Sequence, residues 1–424
     1  MKGKGIVAAA AVLLGILLIA ALGILIGRGA FSSYEKVETM AAAEHNTENL
    51  SPEAGEKEAV LQEEEQMFSQ QETSAPQPAE QTEGLAEEAQ PEEPQPEEPI
   101  TLLFAGDVLL SDHVLNAYNT GGGIGGVVDG NLLEEIRKAD LFMVNEEFPF
   151  SARGEAAPDK QYTFRLPPER VSIFQEMGID LVTLANNHAL DFGTDALVDT
   201  LDTLDGAGIL HVGAGRNLDE AKMPVTVEIQ GKTIGFLGAS RVIPETSWNA
   251  TSTKPGMLVT YDPAFTIREI EKLDQVCDYV VVYVHWGIER AEHPEEYQRT
   301  MGKQYIDAGA DLVVGSHPHM LQGIEYYQGK PIVYSLGNFV FGSSIPRTAL
   351  LKVELEKGQE GEGELDLSSL SMIPATSGAG YTRQLTDAGQ VEEFYSHIEE
   401  ISFGVSVDED GISENNSEGA GISQ

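Results

Sequence analysis

Short apolar runs bounded by Gly, Asn, Asp and Pro alternate with amphipathic stretches across the middle of the chain. Continuous apolar runs are typical of strands buried on both faces, and the stretches between them have the spacing of helices that cover a sheet. The predicted strands are Thr101–Ala105, Leu141–Val144, Leu181–Leu184, Val225–Ile229, Thr233–Gly238, Tyr279–Val284, Leu312–Val314 and Ile332–Ser335. The predicted helices are Pro168–Met177, Thr194–Ala207, Pro263–Val276 and Glu295–Ala308.

Two of these strands are joined only by Gln230, Gly231 and Lys232, which predicts a hairpin. A hairpin places an antiparallel strand in a sheet whose other strands are connected through helices. The pattern therefore predicts an α/β domain with mixed sheets flanked by helices, over residues 100–403.

Residues 31–99 and 404–424 lack such a pattern. The first segment is rich in Glu, Gln, Pro and Ala, and the second in Gly, Ser, Asn and acidic residues. Such compositions bury too little apolar surface to offset the cost of ordering the backbone. We expect a disordered acidic linker over 31–99 and a disordered acidic tail over 404–424.

An uncharged apolar stretch runs from Ile6 to Ile26, after Lys2 and Lys4. Its length of about 20 residues suits a helix across the ~30 Å hydrocarbon core of a bilayer. We predict a membrane anchor within residues 1–30 with a cytoplasmic amino terminus, although Arg28 flanks the other side. A cleaved signal peptide is the alternative, but its apolar region is usually only ~7–15 residues long. Both interpretations predict an extracytoplasmic folded domain, and the first predicts a single-pass protein of the cell membrane.

Composition limits the classes of partner and of site. The net charge is −43, from 69 acidic and 26 basic residues, so the chain repels nucleic acid and is not expected to bind it. Cys277 is the only cysteine, which excludes a disulfide within the chain and a thiolate zinc cage. We interpret Cys277 as a buried small hydrophobic residue rather than a reactive thiol.

Six short polar signals follow the ends of apolar runs. They are GD (Gly106, Asp107), NEE (Asn145, Glu146, Glu147), NNH (Asn186, Asn187, His188), HWG (His285, Trp286, Gly287), SHPH (Ser316, His317, Pro318, His319) and SLGN (Ser335, Leu336, Gly337, Asn338). The first five supply side chains that bind divalent cations. Because the carboxyl ends of neighbouring strands meet in one crevice of an α/β sheet, we expect these residues to converge on one site.

The SHPH signal is the strongest local indication of metal binding. His317 and His319 are two residues apart around Pro318, and in an extended segment both rings face one way. His285 ends another apolar run and is expected at the same edge. Gly337 and Asn338 are more typical of a turn or bulge than of direct ligation.

The acidic and amide signals are more ambiguous. Asp107 suits either a cation or a turn that bonds its own backbone. Adjacent acids in an extended segment point to different sides, so one of Glu146 and Glu147 is expected at the site and the other in solvent. In LANNHALDFG, Asn187 offers an amide oxygen and His188 an imidazole suited to proton transfer. Asp191 suits orientation of a ring or capping of the next helix.

The order GD, N-x-E, NNH-x-x-D-x-G, HWG, G-x-HPH and SLGNF resembles the capsule-synthesis protein CapA family, which is linked to poly-γ-glutamate capsules. The resemblance spans roughly Thr101 to Phe341 and includes TFRLPPE, HVGAGRNLDEAKMP and SHPHMLQGIE. That family is similar in architecture to calcineurin-like metallophosphoesterases. The resemblance implies a metallophosphoesterase-like layered sandwich that binds one or two divalent metal ions, with Zn, Mn and Fe left open.

The resemblance also implies residue roles. The implied ligands share one bridging carboxylate: Asp107, Glu147 and His319 for a first cation, and Glu147, Asn187, His285 and His317 for a second. His188 is implied to protonate the leaving oxygen. The sequence departs from the phosphoesterase pattern at Leu109, where that pattern has a histidine, and at Glu147, where it has an aspartate.

Two functions of different classes follow from the resemblance. One is a metal-dependent hydrolase in the synthesis, release or tethering of an anionic capsule polymer, with that polymer or its synthesis machinery as partner. The other is a non-catalytic module that grips the polymer through bound metal, which the loss of a ligand at Leu109 favours. His188 discriminates between them, because only hydrolysis needs its proton.

Overall fold

A computed structural model describes residues 98–342, 344–358 and 365–415. The predictions of a membrane anchor, of a linker up to residue 97 and of a tail from residue 416 lie outside the described residues. Within the described ranges, no helix combines the length and apolar character needed to cross a membrane. Most strands in these ranges belong to two sheets, of eight and six strands.

The first sheet has a parallel half and an antiparallel half. Its strands are β1 (Ile100–Val108), β2 (Leu141–Glu146), β3 (Leu181–Thr183), β4 (Leu210–Val212), β13 (Asn338–Val340), β14 (Ser344–Lys357), β15 (Leu365–Gly378) and β16 (Tyr381–Gln384). The strand order is β16-β15-β14-β1-β2-β3-β4, and β13 pairs with the end of β1. β1 to β4 run parallel, whereas β14, β15 and β16 are antiparallel to their neighbours.

The second sheet has four parallel strands between two antiparallel edges. Its strands are β6 (Val225–Ile229), β7 (Lys232–Ser240), β9 (Tyr279–His285), β10 (Leu312–Ser316), β11 (Leu321–Tyr327) and β12 (Lys330–Leu336), in the order β11-β12-β10-β9-β7-β6. The predicted hairpin is confirmed as the antiparallel pair β6 and β7. Two short antiparallel pairs lie outside both sheets: β5 (Ala214–Gly215) with β8 (Gly256–Met257), and β17 (Val405–Asp408) with β18 (Gly411–Glu414).

The helices of the described ranges mostly connect parallel strands. They are α1 (Asp112–Gly121), α2 (Gly130–Lys138), α3 (Val171–Met177), α4 (Gly193–Ala207), α5 (Leu218–Ala221), α6 (Ala264–Leu273), α7 (Glu296–Asp307) and α8 (Ala388–Ile401). Side chains fix several starts: Asp129 accepts a 2.9 Å bond from the Leu132 amide at the start of α2, and Glu295 with Gln298 forms a capping box on α7.

Alternate residues of the strands face different cores, which gives four layers. On β1, Phe104 packs between the sheets with Tyr283 of β9, whereas Leu103 faces the helices α1 to α4. On β9, Val282 faces α6 and α7. The order helix, sheet, sheet, helix explains the continuous apolar runs, and it confirms the prediction of an α/β fold with mixed sheets and flanking helices.

The prediction of a disordered tail from residue 404 is wrong for residues 404–415. Val405, Val407 and Ile412 are buried and belong to the core between the sheets and α8. The Tyr326 hydroxyl also donates a 2.9 Å bond to the Ile412 carbonyl. Val405 and Val407 alternate along β17, and Ile412 pairs with Val407 across the hairpin, so the apolar side chains pack against the domain.

Candidate metal centre

The candidate site residues from both sheets meet at the carboxyl ends of the parallel strands. A continuous chain of contacts links them, and the two sheets contribute to it jointly. Its members are Asp107 after β1, Glu147 after β2, Asn187, His188 and Asp191 after β3, His285 at the end of β9, and His317 and His319 after β10. Convergence of all eight residues is what the strand-end pattern predicted.

Close approach of two backbones positions Asp107. Its amide donates a 2.8 Å bond to the Gly337 carbonyl, and the register aligns Asp107 with Asn338 on one side and Asn145 on the other. A Cβ on the preceding residue, Gly106, would lie 1.8 Å from the Gly337 oxygen. Only glycine therefore allows β1 to carry Asp107 this close to the turn before β13.

One group of possible ligands contains Asp107, Glu147 and His319. His319 Nδ1 lies 3.2 Å from Asp107 Oδ2 and 3.9 Å from Glu147 Oε2. The other oxygen of Asp107 accepts a 2.8 Å bond from the Asn145 amide. One side of the Asp107 carboxylate is thus held by Asn145, and the other faces the centre.

The second group contains Glu147, His285 and His317. His285 Nε2 lies 3.7 Å from Glu147 Oε1 and 2.9 Å from Asn187 Oδ1. On the opposite side of the ring, Nδ1 lies 3.1 Å from Ser316 Oγ. A partner on Nδ1 fixes the ring so that Nε2 faces the centre, the usual arrangement of a metal-binding histidine.

These residues fit a divalent cation. Within the described ranges, no group forms a hydrogen bond with either Glu147 carboxylate oxygen or with His317 Nδ1, and all three atoms are buried. A buried carboxylate without a partner is costly, and a cation would satisfy it. In each group the ligand atoms lie within 4.8 Å of one another. Because Glu147 belongs to both groups, two neighbouring cations could share it.

Burial and mutual charge shift the pKa values of the possible ligands in different directions. Burial and the charge of Asp107 raise the pKa of Glu147 well above its usual range. Burial and the charge of His319 lower the pKa of His317 to about 4, and that of His285 also falls well below its ordinary value. Burial alone lowers the pKa of His319, but Glu147 and Asp107 raise it to about 10. His285 and His317 are therefore neutral at pH 7, the form that binds metal.

The backbone of the SHPH segment differs from the extended form expected from the sequence. His317 has φ 101° and His319 has φ 57°, both in the left-handed region that disfavours residues with a Cβ. The two ring centres lie 5.9 Å apart, and each ring belongs to a different one of the two groups that share Glu147. Strained residues of this kind cluster at functional sites, where the surrounding structure holds them.

The expectation that Glu146 faces solvent is wrong. Its side chain is 1% exposed, and within the described residues neither carboxylate oxygen has a hydrogen-bond partner. Burial raises its pKa well above the ordinary value. The sheet is covered by helices on this face, so both sides of the strand end are interior.

His188 and Asp191 form a hydrogen-bonded pair beside the two groups. His188 Nδ1 lies 2.7 Å from Asp191 Oδ2, and the Phe164 ring packs against the His188 ring with 4.6 Å between the ring centres. Asp191 does not cap the next helix, because Phe192 occupies that position and no side chain caps α4. Burial lowers the pKa of His188, and the bond to Asp191 opposes that shift.

Two residues at the site were not assigned a role from the sequence. Lys160 contacts the Asn187 carbonyl and the Asp191 carboxylate, and its Nζ lies 3.0 Å from His188 Nδ1. Asn338, interpreted as a turn residue, places Oδ1 2.8 Å from His319 Nδ1. No strand-end signal includes Lys160, whereas Asn338 belongs to the SLGN signal and was interpreted differently.

Sequence comparisons identify a family and several relatives whose names describe a function. The family described as bacterial capsule synthesis protein PGA_cap matches residues 101–343. The chain is 35% identical over 246 residues to the PGA biosynthesis protein CapA of Bacillus subtilis, covering 57% of this chain and 64% of that protein. It is 31% identical over 312 residues to the capsule biosynthesis protein CapA of Bacillus anthracis, covering 70% of this chain and 72% of that protein.

Among solved structures, the sulfate thiohydrolase SoxB of Thermus thermophilus aligns with a TM-score of 0.38 and 13% identity, over 72% of this chain and 61% of that one. A similarity this low carries no functional argument. The family match is different in kind, since it spans more than half of the chain and includes all eight candidate site residues. This chain belongs to the bacterial capsule synthesis protein PGA_cap family.

Proposed function

We propose that this protein is a metal-dependent hydrolase that acts on an anionic capsule polymer such as poly-γ-glutamate, during its synthesis, release or tethering. The observation that carries the proposal is the pair of ligand groups sharing Glu147, with the His188–Asp191 pair beside them. The names of the two relatives point to the capsule polymer as substrate. The two ligand groups favour metal-dependent hydrolysis as the reaction.

Asp107, Glu147, Asn187, His285, His317 and His319 would hold the cations. Bound divalent cations would polarise the bond to be broken and lower the pKa of water. The residues of the chain keep that centre in place: Asn145 holds Asp107, and Ser316 holds the ring of His285. The donor set of oxygen and imidazole nitrogen suits zinc, manganese or iron.

His188 would exchange a proton with the substrate. Its Nδ1 is engaged by Asp191 at 2.7 Å, so Nε2 is the nitrogen available to a bound ligand. Lys160 and the Phe164 amide, which donates a 2.7 Å bond to Asp191 Oδ2, keep that carboxylate in position. A fixed imidazole is the usual agent of general acid–base catalysis.

Arg241 is suited to bind a carboxylate of the polymer. It follows β7, and its amide donates a 2.8 Å bond to the His285 carbonyl. The guanidinium carbon lies 3.6 Å from the centre of the Tyr261 ring and 5.1 Å from that of Tyr297. Among the described residues no carboxylate forms an ion pair with Arg241, and its buried Nε has no acceptor. A stacked, unpaired guanidinium is well prepared for an incoming carboxylate.

We also propose that residues 6–26 anchor the protein in the cell membrane, with the folded domain outside the cytoplasm. The uncharged apolar stretch supports this arrangement, and a capsule polymer is found on the same side. Protease added to intact protoplasts should cleave the folded domain, whereas cleavage only after lysis would contradict it.

Incubation of poly-γ-glutamate with the purified protein tests the hydrolase. We expect the Mn²⁺-loaded protein to shorten the polymer on size-exclusion chromatography, and the chelated protein to leave it intact. The tethering module is the second candidate, because buried Leu109 offers no ligand to the first group. Polymer that binds in a metal-dependent way without being shortened, in wild type and in His188→Ala alike, would establish tethering instead.

A further inference from the structure

We infer that Asn338 is a direct ligand of the first cation, through its side-chain oxygen. The inference rests on the proposed metal centre and adds a residue that the sequence pattern attributed to a turn. It completes a group that otherwise consists of Asp107, Glu147 and His319.

The separations around His319 Nδ1 carry the inference. Asn338 Oδ1 lies 2.8 Å from that nitrogen, Asp107 Oδ2 3.2 Å and Glu147 Oε2 3.9 Å. In an octahedral shell with bonds of about 2.1 Å, neighbouring ligands are about 3 Å apart and opposite ligands about 4 Å apart. The three oxygens therefore lie at distances from His319 Nδ1 that neighbouring and opposite ligands of one cation would have.

The chemistry of the four atoms is also consistent. A neutral amide oxygen is a common ligand of hard and borderline cations, and it adds no further negative charge beside Asp107 and Glu147. The two carboxylates already repel each other, since the charge of Asp107 contributes to the raised pKa of Glu147. An amide at this position adds a ligand without increasing that repulsion.

The backbone keeps Asn338 in place before any cation binds. Asn338 begins β13, which pairs with the end of β1 in register with Asp107. Bonds of 2.8 Å from the Asp107 amide to Gly337 and of 2.7 Å from the Leu109 amide to Val340 fix the two segments. Asn338 and Asp107 thus belong to one rigid ladder, which is how precise ligand geometry is normally maintained.

A thiol at position 338 distinguishes a ligand from a residue that only orients His319. In full-length Asn338→Cys loaded with Co²⁺, we expect a sulfur-to-cobalt charge-transfer band, because a thiolate bound to cobalt absorbs in the near ultraviolet and an unbound thiol does not. Wild type contains Cys277 and serves as one control. Asn116→Cys, at an exposed asparagine of α1, is the matched control for an added thiol.

Titration of Mn²⁺ provides an independent measurement. Loss of an outer-shell partner typically lowers metal affinity by about 10–100-fold, so loss of a ligand in Asn338→Ala should lower the affinity of one equivalent by at least about tenfold. Asn338→Asp should retain that equivalent, and Asn116→Ala should match wild type.

The outcomes separate this inference from the proposed function. If wild type binds no metal, both fail. If wild type binds two equivalents but Asn338→Cys shows no band with Co²⁺ bound, or Asn338→Ala keeps both affinities, the assignment of Asn338 is wrong and the metal centre remains. A band in Asn338→Cys with a weakened equivalent in Asn338→Ala supports the assignment.

Discussion

The buried carboxylates of Glu325 and Glu147 have opposite surroundings in this protein. Glu325 is 8% exposed, and it receives bonds from Arg299 at 2.9 and 3.0 Å, from Lys303 at 2.8 Å and from the Tyr334 hydroxyl at 2.7 Å. Burial raises its pKa, but these partners lower it to about 2. Glu147 is fully buried, yet neither of its oxygens has a hydrogen-bond partner among the described residues.

The difference separates a charge that stabilises the fold from one that is available to a ligand. Around Glu325 the protein supplies every partner, so the folded state gains from the ionised carboxylate. Around Glu147 the protein places a second carboxylate, and the folded state is destabilised until a cation binds. Removing each carboxylate should therefore have opposite consequences.

The largest effect is expected from His188→Ala. General acid–base catalysis typically contributes ~10²–10⁴ in rate, so polymer cleavage should fall by about that factor. Mn²⁺ content should remain near that of wild type, because His188 contacts Asp191 and is not placed among the ligands. His317→Ala is the contrasting variant, and its metal content should fall. Loss of metal from His188→Ala would mean that His188 is itself a ligand.

The next largest effect is expected in the free energy of unfolding of Glu147→Gln, measured with and without metal. Saturation at about 1,000 times the dissociation constant stabilises a protein by ~4 kcal/mol, and wild type should show this gain in urea unfolding with Mn²⁺. The variant should gain little from Mn²⁺, because both ligand groups lose their shared carboxylate. Without metal it should be at least as stable as wild type. A chelated variant clearly less stable than chelated wild type would contradict the proposed cost of Glu147.

A smaller effect of opposite sign is expected from Glu325→Gln, which should destabilise the protein by about 1–3 kcal/mol at pH 7. Because the folded pKa of about 2 lies below the ordinary value of ~4.3, the unfolded chain binds the proton first. The stabilisation is present above pH ~4.3 and is lost as the pH falls towards 2. Urea unfolding at several pH values should show wild type and variant converging over that window, and a constant difference would contradict the ion-pair account.

The smallest effect is expected from Arg241→Gln. Loss of one charge-assisted contact of the partly buried Arg241 is worth about 1 kcal/mol, so polymer affinity should fall by roughly fivefold with metal content unchanged. Arg137→Gln removes the same charge from the last turn of α2 and is the matched control. Equal losses in both variants would show that only net charge matters.

Most parallel strands were predictable from sequence because both of their faces are covered, although β4 and β13 were not predicted. Tyr279–His285 is buried at every position, so its run is continuously apolar. In β14 and β15 buried and exposed positions are interspersed, and Ser, Thr and Lys within them resemble loop residues. No strand was predicted there, although these are two of the eight strands of the first sheet. Helices α1, α2, α5 and α8 were also not predicted.

The candidate site was predictable for a related reason. Strand-end residues such as Asp107 and His285 converge because parallel strands share an edge, which requires no knowledge of distant contacts. Lys160 reaches the site through contacts with a distant segment and belongs to no strand-end signal. Asn338 does belong to one, SLGN, but only its contact with His319 shows that it reaches the site. The burial of Glu146 also depends on distant elements, since helices cover that face of the sheet.

The position of β1 has a consequence for the order in which the protein can fold. β1 is the first strand of the domain, but it pairs with β13 and β14 near the other end of the chain as well as with β2. Until ribosomes have completed those distant strands, one edge of an apolar strand has no partner, and such an edge invites aggregation. High contact order of this kind makes folding slow. The nascent amino-terminal half must therefore be kept apart from other chains until the carboxyl-terminal strands arrive to close the sheet.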